Sequence, residues 1–457
     1  MTLRDYTVIG LMLLLGWSPA ELTAAQLIAT TYLDNDRVIT NYVLDNPFLK
    51  VIVSPDKGGG IEKIAFKMTG ITLTDGLSFT DQLYHHFSDN DRTIEEYESL
   101  EKSRFTVVKI DDKQNDKRVS LSVSSPGQSS VFKKLIVTKT YKLLEKECAL
   151  FIEYQLSNAS SNSINAGFWV HTHLRTGGKN QAERNIIFTP TSSGISAITH
   201  PATNLIAEKY WIMDPPLDWK AFIGLESKAG AVVLMDYRCL SCFYDRYERN
   251  CYRSSCDWAF CQQIILPQQA WTTRMTLIPF TGLDHVDGVM NECFVYSLDC
   301  APAGTNLSMA KVELGMAYRG PQRLSLNCKL WLRSPDNAPL CYPPPAHDPS
   351  ATNTQALILQ STANFNAGAT VHFSKSYRPP MPKPYDYTLE LYGGTNLHGS
   401  ITLPIIIGPV ATNIVIKPLD PIKDGEPCLK PFKILSKDQN IIYRRIPDTN
   451  GDVSESP

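Results

Sequence analysis

Two runs decide the fold, Lys134–Leu144 (KLIVTKTYKLL) and Leu150–Leu156 (LFIEYQL). In both, apolar and polar residues largely alternate, which is the period of a half-buried β-strand. Similar runs, bounded by Gly, Pro, Asn, Asp and Ser, recur along the chain, whereas long helical patterns with caps are nearly absent. The sequence therefore predicts an all-β protein, with a short helix or loop at Thr93–Lys102.

The N-terminal residues 1–25 have the pattern of a secretory signal peptide. They contain Arg4, an apolar run from Val8 to Trp17, and a stretch that ends in Leu-Thr-Ala-Ala. This apolar run is shorter than the roughly 20 residues that a membrane span needs. We therefore expect a secreted or periplasmic protein without a membrane span in the mature chain.

The character of the sequence changes near Asn291, where two cysteines precede Ala301-Pro302-Ala303-Gly304 and a new set of strands. We place a domain boundary there. The expected architecture is a large antiparallel two-layer domain over residues 26–292 and a smaller C-terminal β-sandwich over residues 293–457.

The net charge of −2 is too small to favour an anionic polymer as the partner. Proteins that bind nucleic acid usually carry a strongly basic surface. The composition thus argues against nucleic acid as a partner.

Eleven cysteines follow the predicted signal peptide, and five of them fall close together. These five are Cys239, Cys242, Cys251, Cys256 and Cys261. In an exported chain such a cluster favours a loop stapled by disulfides. Zinc is the alternative, but the spacing lacks two matched Cys-x2-Cys pairs, and we predict neither a metal nor a cofactor.

The segment Phe168–Arg175 (FWVHTHLR) is the strongest functional signal. As a strand it would place Trp169, His171, His173 and Arg175 on one face and apolar residues on the other. A tryptophan ring, two imidazoles and a permanently charged guanidinium are groups that commonly form a binding site for a sugar or a carboxylate. Alternatively, the same face is a solvated sheet surface, or the two imidazoles bind a metal with a third ligand from a neighbouring loop.

Two further regions supply candidate ligand-binding residues. Asp81 and His85 would add an acid and a base if their loop lies over the sheet; the alternative is that they are turn residues whose polar groups are satisfied by the backbone. Trp219 and Tyr237 belong to an aromatic group before and within the cysteine-rich region. Such rings suit stacking on sugars or, more simply, fill a small core.

Short motifs in a fixed order resemble the galactose mutarotase-like (aldose epimerase-like) supersandwich superfamily. They are Asn46–Val51 with Gly58–Ile61, Lys139–Tyr141 with Leu150–Asn158, the histidine segment Phe168–Arg175, and Thr189–Thr191 with Gly194–Ile195. The resemblance covers roughly residues 30–290 and implies a large two-layer sandwich whose concave face binds carbohydrate. It also implies that His171 or His173 matches the histidine that acts as general acid in the epimerases. The family's later glutamate is not found in a recognisable setting, and Leu174–Gly177 departs from the family's pattern.

From these features we expect an exported protein that binds an oligosaccharide or polysaccharide and acts in carbohydrate metabolism. If it is an enzyme, the resemblance implies an epimerase, lyase or glycoside hydrolase that uses His171 and His173 as catalytic groups. Trp169, Arg175, Asp81, His85, Trp219 and Tyr237 are then the predicted substrate-binding residues. The alternative is a non-enzymatic extracellular module that is stapled by disulfides and binds other proteins.

Overall fold

The structure, a computed structural model, describes most of the chain between Ala25 and Arg444. The described ranges are residues 25–34, 37–74, 76–88, 93–113, 118–178, 184–192, 194–199, 208–247, 255–303, 306–334, 355–378, 383–407 and 442–444. The predicted signal peptide therefore lies outside the described residues, except for Ala25. No helix with the length and apolar character of a membrane span occurs in these ranges.

Regular structure in these ranges consists of β-strands, apart from short turns such as the 3-10 helix Tyr237–Cys239. The all-β prediction is confirmed. The first strands are β1 Gln26–Asp34, β2 Arg37–Asp45, β3 Leu49–Ser54, β4 Gly60–Phe66, β5 Ile71–Thr72, β6 Gln82–Ser88, β7 Thr93–Ser99, β8 Thr106–Lys113, β9 Arg118–Pro126, β10 Leu135–Leu144, β11 Leu150–Asn158, β12 Ile164–Val170, β13 Asn185–Thr191 and β14 Gly194–Thr199. The later strands are β15 Glu208–Met213, β16 Trp219–Gly224, β17 Ala229–Met235, β18 Leu240–Tyr247, β19 Ser255–Ile265, β20 Ala270–Thr281, β21 Gly288–Met290, β22 Phe294–Ala303, β23 Asn306–Tyr318, β24 Leu324–Arg333, β25 Gln355–Phe365, β26 Thr370–Tyr377, β27 Lys383–Gly393, β28 Asn396–Ile407 and β29 Ile442–Arg444.

The described strands form five antiparallel sheets. A five-stranded sheet has the order β1-β2-β3-β4-β5, a nine-stranded sheet β14-β13-β16-β17-β20-β11-β10-β9-β8, and a six-stranded sheet β15-β18-β19-β12-β6-β7. The C-terminal part has a four-stranded sheet β21-β22-β23-β26 and a five-stranded sheet β25-β24-β27-β28-β29.

The nine-stranded and six-stranded sheets face each other across the main hydrophobic core. Along β10 buried and partly buried residues alternate strictly, as the sequence pattern predicts. Tyr154 of β11 packs against Phe168 of β12 with ring centroids 4.6 Å apart, so the two layers meet through aromatic side chains. Phe168 belongs to this core, whereas Trp169 belongs to a separate cluster. Trp169 therefore lies on the outer face of the six-stranded sheet, because successive strand residues point to opposite faces.

A second buried cluster, drawn from residues 290–391, forms the core of the C-terminal part. A third cluster joins the nine-stranded sheet to β22 and β23 through Val295 and Ala317. The largely buried ion pair between Glu147 and Arg319 also connects the two parts. The boundary between residues 292 and 293 stays a prediction.

Two local predictions are wrong. Residues 93–99 of the expected helix or loop form β7, which pairs with β6 from Gln82↔Ser99 to Ser88↔Thr93, so sheet pairing overrides the polar local sequence. The expected strand Phe168–Arg175 ends at Val170. Beyond it the carbonyl of His171 accepts hydrogen bonds from the backbone N–H groups of Phe79 (2.8 Å) and Thr80 (3.3 Å), which replaces ladder pairing.

The cysteine-rich region is not a stapled loop in the described residues. Of the five candidates, Cys239, Cys242, Cys256 and Cys261 form no disulfide in the part of the chain that the structure describes, and Cys251 lies outside it. Cys242 is opposite Ala259, and Cys256 is opposite Asp245 in the ladder of β18 and β19. These two thiols therefore do not face each other, and the disulfide prediction finds no support.

Candidate functional site

Asp257 on β19 lies at the centre of a hydrogen-bonded group at the end of β12. Its Oδ2 accepts hydrogen bonds from Trp169 Nε1 (3.1 Å) and Ser255 Oγ (3.2 Å), and it lies 3.0 Å from His171 Nδ1. Its Oδ1 accepts a bond from the backbone N–H of Thr172 (3.0 Å). The carboxylate is buried, so these polar partners replace the water it loses on folding.

Strand alternation places this group on the outer face of the six-stranded sheet. Cys256 and Trp258 point into the main core, so Asp257 between them points outward. Trp169 is opposite Ala259 in the ladder of β12 and β19, which brings its ring to the same face. His171 follows the end of β12 at Val170, and its ring lies beside the Asp257 carboxylate.

The His171–Asp257 pair stabilises the charged form of both side chains. Burial acts to lower the pKa of His171, but the charge and hydrogen bond of Asp257, with smaller contributions from Asp81 and Glu101, raise it overall. Burial acts to raise the pKa of Asp257, but His171, the Thr172 N–H and Trp169 lower it overall. The pair therefore favours a protonated imidazole next to an ionised carboxylate, and the His171 side chain is still 29 % exposed.

His173 is the second imidazole at this position. Its ring lies 4.8 Å from the ring of His171 at an interplanar angle of 85°, and its backbone N–H donates to Ser78 Oγ (3.0 Å). Both histidines are partly buried and partly accessible. The predicted pairing of two imidazoles is thus present, although an irregular segment after β12 rather than a strand brings them together.

An aromatic cluster borders the histidines. Trp211 and Tyr244 lie with ring centroids 4.4 Å apart, and Trp169 lies 5.7 Å from Trp211 and 5.4 Å from Tyr244. Both tryptophans are buried, while Tyr244 is partly exposed. Trp169 therefore supports the site through packing and its bond to Asp257, and Tyr244 is the ring of this cluster that can meet a ligand.

Arg175 follows His173 closely in the chain, and Asp81 lies near enough in space to act on His171. Both side chains are buried. Asp81 forms an ion pair with Lys139 inside the sandwich, and its charge reaches His171. Neither side chain is exposed to a ligand from solvent in this structure, and their predicted role in binding stays a prediction.

The structure does not bring the other three predicted ligand-binding residues to the histidines. On β6, Gln82 is the residue opposite Trp169, and His85 lies about 10 Å further along the strand. The Nδ1 atom of His85 is 3.4 Å from Glu96 Oε2. Trp219 is buried in the cluster that joins the nine-stranded sheet to the C-terminal part. Tyr237 is exposed in the 3-10 helix before β18. Their role in binding stays a prediction.

Sequence reasoning missed Asp257, the residue that holds the site together. One signal was available, because Asp257 is a charged residue between two apolar inward positions of β19. Within the described part of the chain, no group of three or more His, Cys, Asp and Glu is arranged to hold a metal ion, so the alternative of a metal on His171 and His173 finds no third ligand there.

No protein-family model and no curated protein matches the sequence. Among solved structures, the chain is similar to a candidate aldose 1-epimerase from Klebsiella pneumoniae (TM-score 0.43, 10% identity, 56% of this chain and 87% of that chain). It is also similar to a galactose mutarotase-like protein from Clostridium acetobutylicum (TM-score 0.42, 9% identity, 57% and 99%) and a candidate aldose 1-epimerase from Escherichia coli (TM-score 0.39, 11% identity, 53% and 100%). Similarities at these TM-scores and identities carry no information about function, which therefore rests on the side chains described above.

Proposed function

We propose that this protein binds a carbohydrate on the outer face of the six-stranded sheet, at the surface formed by His171, His173 and Tyr244. The observation that carries the proposal is the His171–Asp257 pair at 3.0 Å, in which a buried carboxylate holds a partly exposed imidazole beside an aromatic ring. Sugars present hydroxyl groups and flat C–H faces, and they are bound by polar groups next to aromatic plates.

The same pair supports proton transfer to a bound sugar. The bond between Nδ1 and Asp257 leaves Nε2 as the nitrogen that can meet a ligand, and a raised pKa keeps the ring protonated closer to neutral pH. His171 is therefore suited to act as a general acid on a sugar oxygen. Asp257 already interacts with four donor groups and has a lowered pKa, so it orients the imidazole and is a poor base.

His173 is the group that would accept a proton in the same reaction. Its ring lies 4.8 Å from that of His171, close enough for both imidazoles to contact one sugar. The sequence pattern of the N-terminus and the motif order support an oligosaccharide or polysaccharide met outside the cytoplasm. The compartment and the size of the glycan belong to this proposal.

A glycan array tests binding. The wild-type protein should retain a defined set of glycans, and His171→Ala/His173→Ala should lose them while its circular dichroism spectrum is unchanged. His372→Ala is the matched control, because it removes an exposed imidazole from β26 in the C-terminal part of the chain. Retention of no glycan by the wild type, together with a stable complex with another protein, would favour the interaction module instead.

Turnover is tested on the glycans that the array identifies. Proton NMR of the anomeric region should show exchange of anomers or new reducing ends with the wild type. His171→Gln should lower the rate by about 100-fold or more, the usual contribution of a general acid. An unchanged rate in this variant would contradict the acid role of His171 and leave binding as the function.

A further inference from the structure

Lys139 is a lysine in the interior of the sandwich, with its side chain fully buried. It lies on β10 of the nine-stranded sheet and reaches across the core. Its Nζ donates hydrogen bonds to the carbonyl oxygens of Gly58 and Phe79, both at 2.8 Å, and lies 2.6 Å from Asp81 Oδ2. These three contacts match the three N–H groups of an ammonium ion.

The segment Phe79–Asp81 that Lys139 holds has an unusual backbone. Phe79 and Asp81 have φ values of 59° and 52°, in the left-handed region that non-glycine residues rarely adopt. Residues in this conformation are strained, and they persist only where the surrounding structure imposes it. The hydrogen bond from Lys139 to the carbonyl of Phe79 and the ion pair of Lys139 with Asp81 supply that constraint.

The same segment holds the backbone of the candidate acid. The N–H groups of Phe79 and Thr80 both donate to the carbonyl of His171, which turns the chain away from β12. The carbonyl of Asp81 accepts a bond from Leu100 N–H at 3.0 Å, which fixes the other end of the segment. A continuous path of bonds therefore runs from Lys139 to His171.

We propose that Lys139 and Asp81 act together as positioning residues for His171: Lys139 fixes the Phe79–Asp81 segment, and this segment holds the backbone of His171, whose ring lies against Asp257. The inference rests on the proposed function for the role of His171, but the position of the imidazole can be tested alone.

Charge supports the same conclusion. The titratable groups that act on His171 are Asp257 on β19, Asp81 before β6 and Glu101 after β7, and the ring of His173 lies beside it. Burial raises the pKa of Asp81 overall and lowers that of Lys139 overall, whereas the charge and hydrogen bond between the two side chains oppose both shifts and favour the ion pair. A charged Asp81 then favours the protonated form of His171.

The first experiment uses Asp81→Asn and follows the His171 imidazole by NMR from pH 5 to 9 in protein labelled with ¹⁵N-histidine. The signal is assigned by its loss in His171→Gln. Asparagine tolerates a positive φ and keeps an oxygen for Lys139, so the fold should be retained. The expected result is a downward shift of the pKa of His171 with the Nδ1–H tautomer retained.

The second experiment uses Lys139→Met/Asp81→Asn, which removes both charges and the anchor of the segment. His171 should again titrate at lower pH, and its signals should broaden or double because the ring is no longer fixed. If this variant does not fold, Asp81→Asn alone decides the question.

The matched control is Glu147→Gln/Arg319→Met. This ion pair is also largely buried, it connects the turn after β10 to the end of β23, and neither residue is among the groups that act on His171. An unchanged titration of His171 in Asp81→Asn, or a shift in the control as large as in that variant, would overturn the proposal. If the wild type retains no glycan while Asp81→Asn shifts the titration, the proposed function fails and the positioning role stands.

Discussion

Replacement of Asp257 by asparagine tests the central geometry of the site. Asparagine has the shape of aspartate but carries no charge and has one acceptor oxygen. If that oxygen keeps the bond to Thr172 N–H, the amide NH₂ faces Trp169 Nε1 and His171 Nδ1, which are donors in the wild type. A hydrogen bond to a charged group contributes about 1.5–3 kcal/mol, and a stranded buried donor costs about 1–3 kcal/mol. We expect the free energy of unfolding to fall by about 3 kcal/mol.

The effect of Asp257→Asn depends on pH with a definite sign. The pKa of His171 is raised above its ordinary value of 6.5, so its contribution to stability is complete below 6.5 and is lost as pH rises through the folded-state pKa. The pKa of Asp257 is lowered below 3.8, so its contribution is complete above 3.8 and is lost as pH falls through the folded-state pKa. The difference between wild type and variant should be largest between these two values.

Urea unfolding followed by tryptophan fluorescence measures this difference at pH 5, 7 and 9. The control is Asp284→Asn, which removes a carboxylate that is 72% exposed and paired with Lys228, and whose loss should change stability by less than about 1 kcal/mol. Equal stability of wild type and Asp257→Asn at pH 5, or a difference that is the same from pH 5 to 9, would refute the charged pair.

Three further predictions follow from packing and thiol chemistry. Gly167→Ala should destabilise the fold by about 1–3 kcal/mol in urea unfolding, because the added methyl group would overlap the ring of Tyr84; an unchanged midpoint would contradict this. Iodoacetamide should modify the partly exposed Cys239 before Cys148, whose burial raises its pKa, and peptide mass spectrometry would contradict this order if Cys148 reacted first. Glu147→Gln should increase proteolysis between the two parts of the chain, because it leaves the partner arginine without its buried carboxylate; an unaltered rate of cleavage would show that the ion pair contributes little.

Strand positions were predictable wherever one face of a strand is buried and the other is not. The expected strand Lys134–Leu144 is observed as Leu135–Leu144, and Leu150–Leu156 is observed as Leu150–Asn158. In these strands the inward residues pack against the opposite sheet. The alternation of apolar and polar residues in the sequence therefore matches the alternation of buried and less buried residues in the structure. Local pattern and tertiary structure agree, and the prediction is confirmed.

The end of β12 was not predictable in this way. The alternation continues through His171 and His173, but the backbone leaves the ladder after Val170 because Phe79 and Thr80 donate to His171. These donors come from a segment about 90 positions earlier in the chain. The residues around His171 carry no sequence signal for a contact with such a distant segment. The sequence therefore indicated the two histidines but predicted a strand where the backbone is irregular.

Breaks in alternation carry the information that the regular pattern lacks. Lys139 occupies an inward position of β10 between Val137 and Tyr141, where a lysine is costly unless a partner compensates its charge. Its partner, Asp81, lies directly before β6 of the facing sheet. A lysine at an inward strand position therefore predicts a buried acid across the core, and here that acid belongs to the segment that shapes the candidate site.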